Sequence, residues 1–270
     1  MILEALAYLA IPCASHLRRM GYPGELVAIA ARYRRRRRDW ADHLANSRCV
    51  VEDAIARTRG RSRAVVLGAG LLHDVPLAAL AAAFAEVELV DLVHTPWTRW
   101  QAKRLGNVRL VAADVTGTLA SLADFGGPDL PVPEPSLGTA PADLVVSANL
   151  LSQLPILPIA WLDRRRCEGL ALSADAIVEF GRSLISSHLD LLARQAGTVA
   201  LITDVERMTF DARRHDRPLV ESEDALLGVT LPWSGREWIW RIAPAPELHA
   251  DQDRRHRVVG IPNIRESATT

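Results

Sequence analysis

Four short polar features recur along this chain, each at the end of an apolar run. Gly68-Ala69-Gly70 follows AVVL, Asp91 follows VELV, Asp114 follows VRLVAA, and Ser147-Ala148-Asn149 follows DLVV. No one of these spacings is distinctive, but their order is. Glycines let a turn pass close under a ligand because no Cβ intervenes. A carboxylate ending the second run can accept both hydrogen bonds of a ribose diol. One ending the third can accept from the exocyclic amine of a base. Polar and backbone groups after the fourth then face the reacting end. Together they describe a nucleoside-containing cofactor lying across the ends of adjacent strands.

Each feature also has a plain structural reading. Gly68 and Gly70 can make a tight turn with no ligand. Asp91 and Asn149 are residue types that cap helices, and Asp114 precedes Thr116 and Gly117, which suits an ordinary turn.

The elements that would position these residues read as alternating strands and helices. AVVLG, VELVDL, VRLVAAD, DLVVSAN and TVALITDVE are short apolar runs, as in strands buried on both faces. VPLAALAAAFA, WTRWQAKRL and the long stretch 173–197 read as helices, the last capped by Gly197. This alternation predicts βαβ units, right-handed crossovers and a mostly parallel sheet with helices on both faces. LLGVTLPW and REWIWRIAP read as a closing antiparallel pair. The Pro- and Gly-rich stretch 124–142 reads as a long loop. The expected organisation is an N-terminal helical segment over 1–60, a Rossmann-like domain over 61–246, and a polar, frayed tail over 247–270.

On these residues the chain resembles the class I S-adenosylmethionine-dependent methyltransferases, from about Arg63 to Glu206. VVLGAG is similar to the first motif of that family, LVDL to the second, VAADV to the third and ADLVVSANLLSQLP to the fourth. The resemblance implies a seven-stranded Rossmann-like sheet with a reversed last strand. It implies that Gly68, Ala69 and Gly70 lie under the methionine part of S-adenosyl-L-methionine and that Asp91 with Leu92 takes the ribose hydroxyls. Asp114 with Val115 would hold adenine, and Ser147 and Asn149 would face the reacting end. LGAGL is also similar to the leucine carboxyl methyltransferase group, which continues Asp-Thr-Arg where this chain has Leu72-His73-Asp74. Most members of the superfamily carry an acid two residues before the first glycine, where this chain has Val66, and many a further glycine where it has Leu72. Asp74 or His73 would then replace the missing acid in gripping the methionine amino group.

Candidates for a general base are His73, His94 and Asp204. The other histidines (His16, His43, His188, His215, His249 and His256) show no metal-ligand spacing, so no metal is expected. The methyl acceptor is not named by any motif. No Asn-Pro-Pro-aromatic signature follows the fourth strand, so a small molecule or a protein is expected before nucleic acid. Two rivals stay open. A nicotinamide-dependent oxidoreductase would need G-x-G-x-x-G, and His73 stands at its last position. A non-catalytic binding or scaffold relative would explain Val66.

The bulk numbers bound these readings. The chain has 270 residues, 49% of them hydrophobic, and a formal net charge of zero, which excludes a surface built wholly for nucleic acid. Arg34 to Arg38, beside Tyr33 and Trp40, could grip phosphate, but such runs usually form solvated faces or ion pairs. Trp97, Trp100, Trp233, Trp238 and Trp240 read as core or rim packing. Lys103 is the sole lysine, as expected of a GC-rich bacterial genome, which disfavours a lysine nucleophile. Cys13, Cys49 and Cys167 are scattered, so a reducing cytoplasm fits. The apolar start carries Glu4 early and its arginines late, the wrong order for a signal peptide, and reads as a buried amphipathic helix. No membrane span is expected.

Overall fold

A computed structural model describes residues 2–127, 129–137 and 140–267. Four helices come first: α1 (Ile2–Ala10), α2 (Ser15–Met20), α3 (Tyr22–Arg36) and α4 (Ala41–Arg57). Gly21, at φ 96°, ends α2 in the left-handed region, and Pro23 then opens α3. The alternating part follows: β1 (Arg63–Leu67), α5 (Leu77–Ala83), β2 (Glu86–Asp91), α6 (Pro96–Leu105), β3 (Val108–Ala112), α7 (Leu119–Ala123) and β4 (Leu144–Ala148). A 3-10 turn at Leu151–Gln153 leads to α8 (Ile156–Cys167), α9 (Ala174–Ala193) and β5 (Thr198–Asp211). β6 (Leu219–Asp224), β7 (Arg236–Ala243) and β8 (Gln252–Ile261) complete the chain.

Seven strands lie side by side in the order β3-β2-β1-β4-β5-β8-β7, and an eighth, β6, pairs with the outer part of β5. β1 to β5 run parallel, and β8 is antiparallel to both of its neighbours. The reversed last strand is therefore present, and β6 is added to the seven expected. Alternate residues of each strand feed two apolar layers, as period-two geometry requires. Val65, Leu67, Val145 and Leu201 face a layer that includes Leu184 and Ile185 of α9. Val66, Leu89, Val146 and Ile202 face a layer that includes Val51 and Ala54 of α4 and Leu80 of α5. A fully buried Leu or Ile in such a layer contributes about 1.5–3 kcal/mol. Side-chain caps set two helix starts. Thr95 accepts from the Thr98 N–H at 3.0 Å, and Ser173 accepts from that of Ala176 at 3.1 Å, each worth about 1 kcal/mol.

Several expectations are corrected. The stretch read as a frayed tail contains β8, inserted between β5 and β7 and largely buried. LLGVTLPW is turn and coil, so the partner of β7 is β8 rather than that segment. Gly197 does not cap α9, which ends at Ala193. It lies just before β5, where a Cβ would collide with the Ala142 and Asp143 carbonyls. α1 is not a buried helix, because Leu6 and Leu9 are 58% and 73% exposed. The loop expected over 124–142 is irregular where it is described, and positions 128, 138 and 139 of it lie outside the described residues. No described helix is long and apolar enough to cross a membrane.

Candidate functional site

One cavity of about 490 Å³ runs along the carboxyl edge of the parallel strands. Its lining follows the sheet order. Asp114 stands after β3, Asp91 ends β2, Gly68 to Gly70 follow β1, Asn149 follows β4, and Asp204 lies on β5. His256 of β8 and Trp240 of β7 close the far side. Neighbouring strands stand about 4.8 Å apart, so four steps from β2 to β8 span about 19 Å. α3 covers the opening with Tyr22, Leu26 and Ile29.

The turn after β1 is built from left-handed residues: Gly68 at φ 74°, Gly70 at φ 47° and Leu72 at φ 60°. At Gly68 the constraint is close approach, because a Cβ would sit 2.9 Å from Leu150 Cβ and 3.0 Å from the Ala148 carbonyl oxygen. At Gly70 space is open, with nothing closer than the Gly68 carbonyl oxygen at 3.8 Å. The Gly70 N–H donates to Asp91 Oδ2 at 2.7 Å, and Thr98 Oγ1 donates to the Gly70 carbonyl at 3.2 Å. β2 and α6 thus fix the turn from two sides. Asp91 keeps its other oxygen free of side-chain partners, and burial raises its carboxyl above the ordinary value.

Asp114 serves local structure. Its Oδ1 accepts from the Thr116 N–H at 2.8 Å and the Thr116 hydroxyl at 2.7 Å, and its Oδ2 from the Leu119 N–H at 2.8 Å. The plain-turn reading therefore holds, while Asp114 and Val115 also line the cavity. Tyr22 stands near both acids. Burial, then the charges of Asp114 and Asp91, push its phenol far up, so it remains a neutral donor.

Asn149 sits at φ 49°, a conformation asparagine tolerates. Its amide donates to Asp74 Oδ2 at 2.5 Å, and its own Oδ1 is buried without a partner. Burial raises the Asp74 carboxyl against that hydrogen bond. Val66 is fully buried in an apolar layer, so the expected acid position offers the cavity no polar group. His73 also lines the cavity, but its ring stacks on Tyr33 with centroids 3.7 Å apart. Burial and then Arg48 lower its pKa to about 4, leaving it uncharged at neutral pH.

Two expected site residues fall outside the cavity. Ser147 is fully buried and bonded to His188 Nε2 at 3.0 Å, beneath α9. The strand alternation turns its side chain into the core instead of toward the edge. His94 is also buried, with Nε2 at 3.1 Å from the Val111 carbonyl, and belongs to the packing between β2 and β3.

Asp204, by contrast, is joined by residues that sequence spacing did not reveal. His256 Nδ1 lies 2.9 Å from Asp204 Oδ2, and the Ser152 hydroxyl donates to the same oxygen at 3.3 Å. Burial pushes Asp204 up, but the His256 bond and the charges of His256, His43 and Arg207 outweigh it, and the carboxyl lies below its ordinary value. His43 of α4 stacks on Trp240 at 3.9 Å, and its Nδ1 accepts from Trp238 Nε1 at 3.1 Å. These residues come from α4, the 3-10 turn, β5, β7 and β8, so only the fold brings them together. The alternation of Trp238 and Trp240 is the one signal the sequence held.

The Arg34 to Arg38 run is partly occupied in ion pairs. Glu247 binds Arg35 and Arg36, and Glu4 lies 3.8 Å from Arg34 and 4.0 Å from Arg35. Trp40 is buried and donates to the Ile242 carbonyl at 3.0 Å, so it offers no face for stacking. Among the described residues no three His, Cys, Asp or Glu side chains gather as a metal group.

No protein-family model and no curated protein matches the chain. Solved structures do. The N-methyltransferase NodS of Bradyrhizobium japonicum, in complex with S-adenosylhomocysteine, is 14% identical over 81% of this chain and 87% of its own, with a TM-score of 0.37. The 1,6-didemethyltoxoflavin-N1-methyltransferase of Burkholderia thailandensis is 15% identical over 93% and 92%, with a TM-score of 0.39. An rRNA methylase of Streptococcus thermophilus is 12% identical over 79% and 95%, with a TM-score of 0.32. The order β3-β2-β1-β4-β5-β8-β7 with β8 reversed makes a mostly parallel Rossmann-like sheet, the architecture that the resemblance to the class I S-adenosylmethionine-dependent methyltransferases implied.

Proposed function

We propose that the protein is an S-adenosylmethionine-dependent methyltransferase acting on a small acceptor. The observation that carries this reading is the joint lining of one cavity by Gly70, Asp91, Asp114, Asn149 and Asp74, in strand order. The buried, unpartnered Asn149 Oδ1 beside the Asp74 carboxylate calls for a donor-bearing cation, and an amino acid's ammonium group is one. Asp74 thereby takes the part of the acid missing at Val66. Asp91 has an oxygen left for a ribose hydroxyl, and the open space over Gly70 admits the chain between amino acid and ribose. Asp114 with Val115 borders the place for the base. When bound, S-adenosylmethionine supplies a methyl already activated by its sulfonium, so the protein's task is alignment and exclusion of water.

Calorimetry with S-adenosylhomocysteine and, separately, with NAD tests the reading. Micromolar binding of the first alone is expected. Binding of NAD alone would make the protein a nicotinamide enzyme. Binding of neither would leave a scaffold that kept only the sheet.

A further inference from the structure

The far side of the cavity is built for more than packing. Asp204 lies at an irregularity of β5, where the pairing with β8 shifts between Asp204 and Glu206. Such bulges re-aim side chains at functional edges. Here the shift sets Asp204 against His256, whose direct cross-strand partner on β7 is Trp240. Asp204 Oδ2 receives the His256 Nδ1–H, which fixes the tautomer and leaves Nε2 with a lone pair. Nε2 has no hydrogen-bond partner among the described residues. Two further polar atoms here, Asp204 Oδ1 and Trp240 Nε1, are buried without partners, although both residues line the cavity. A native fold rarely leaves such atoms unpaired with nothing to meet them.

We propose that His256, oriented by Asp204, takes the proton from a hydroxyl of the methyl acceptor, and that this acceptor is a phenol. The inference rests on the methyltransferase reading above. A neutral amine attacks with its own lone pair and needs no base in that step, whereas a phenolic oxygen is a weak nucleophile until its proton leaves. In the step, the acceptor's O–H bond breaks, its electron pair stays on oxygen, and the proton bonds to Nε2. The imidazolium formed is stabilised by the Asp204 carboxylate. The ring-rich wall of His43 and Trp240 suits an aromatic acceptor body. Asp204 is a positioning residue, since it acts through His256.

The probe is 4-nitrophenol, whose phenolate absorbs visible light and whose phenol does not, titrated into the full chain with no cofactor present. The other charged or titratable groups lining this side are Arg207 of β5, His43 of α4, Glu223 of β6 and Arg254 of β8, so the reading is taken across pH and compared between variants. The bound probe is expected to ionise at least one pH unit lower than the free one, a tenfold shift. His256→Gln is expected to return the probe's ionisation to the solution value and to weaken phenolate binding about tenfold, with Asp204→Asn between the two. In the wild type, the His256 ¹⁵N resonances should move to the imidazolium position as the probe binds, a readout that needs no variant to fold. Absence of saturable binding, a bound probe that stays a phenol, or a shift that survives His256→Gln would overturn the proposal. Failure of the broader reading shows separately, as absence of S-adenosylhomocysteine binding.

Discussion

The side-chain amide of Asn149 reaches Asp74 at 2.5 Å and joins the turn after β4 to the loop after β1. This contact sets a carboxylate at the cavity wall from a position eight residues past Val66, the place where an acid was expected.

Asp74→Ala should weaken S-adenosylhomocysteine binding about 10- to 100-fold, the loss of one charge-assisted contact of about 1.5–3 kcal/mol. Asp74→Asn should raise the melting temperature of the free protein, because it removes a buried charge that the Asn149 hydrogen bond offsets only in part. Calorimetry and thermal unfolding on the same samples measure both. Unchanged affinity in both variants would remove Asp74 from the site.

The two glycines of the turn should separate stability from binding. Gly68→Ala meets Leu150 and the Ala148 carbonyl at a positive φ and should destabilise the fold by about 1–3 kcal/mol. Gly70→Ala has room for its Cβ but shares the positive φ, so it should cost about 1 kcal/mol of stability, less than Gly68→Ala, and act more on S-adenosylhomocysteine affinity than on unfolding. Urea titrations and calorimetry would show the crossover, and equal effects in both variants would contradict it.

Ser147→Ala should leave S-adenosylhomocysteine affinity unchanged. It removes the partner of His188 Nε2 in the core, and a stability loss of about 1–3 kcal/mol is expected by urea unfolding. Weakened binding at full stability would return Ser147 to the site.

Acid should destabilise the protein through its buried histidines. Burial lowers both His43 and His188 from 6.5 to about 4. Between these values the unfolded chain binds more protons than the folded one. Stability from this source is therefore complete above pH 6.5 and is lost as pH falls toward 4, up to about 3 kcal/mol per histidine. Urea midpoints taken across this window should fall, and His188→Gln should flatten the slope. A flat profile in the wild type would show that these rings take up protons in place.

The strands near the middle of the sheet were legible because both of their faces are buried. Val65, Val66 and Leu67 form an unbroken apolar run, and so do Leu144, Val145 and Val146. The place of Asp91 and Gly70 at the cavity was legible too, because a residue that ends a parallel strand stands at the carboxyl edge of the sheet. β8 was not, since its sequence reads QDRRHRVVGI. Its polar side chains are satisfied by distant partners: Asp253 accepts from the Ala245 N–H at 2.8 Å and pairs with Arg217, and His256 meets Asp204. No local pattern encodes those matches. Ser147 was misread for a related reason. Period two decides which side of a strand a residue serves, and a polar residue at a strand end reads as functional until its neighbour His188 is known.

The placement of β8 also orders events during synthesis. The floor under the glycine turn, from β1 to β4, can assemble as soon as residues 63–148 have left the ribosome. Among the described residues β7 pairs with β8 alone, so the wall carrying Trp240 must wait for residues 252–261. At about 5–20 residues per second the 18 residues from Ala243 to Ile261 take about 1–4 seconds. The nascent chain thus acquires the glycine-turn side of the cavity early and the Trp240 side last.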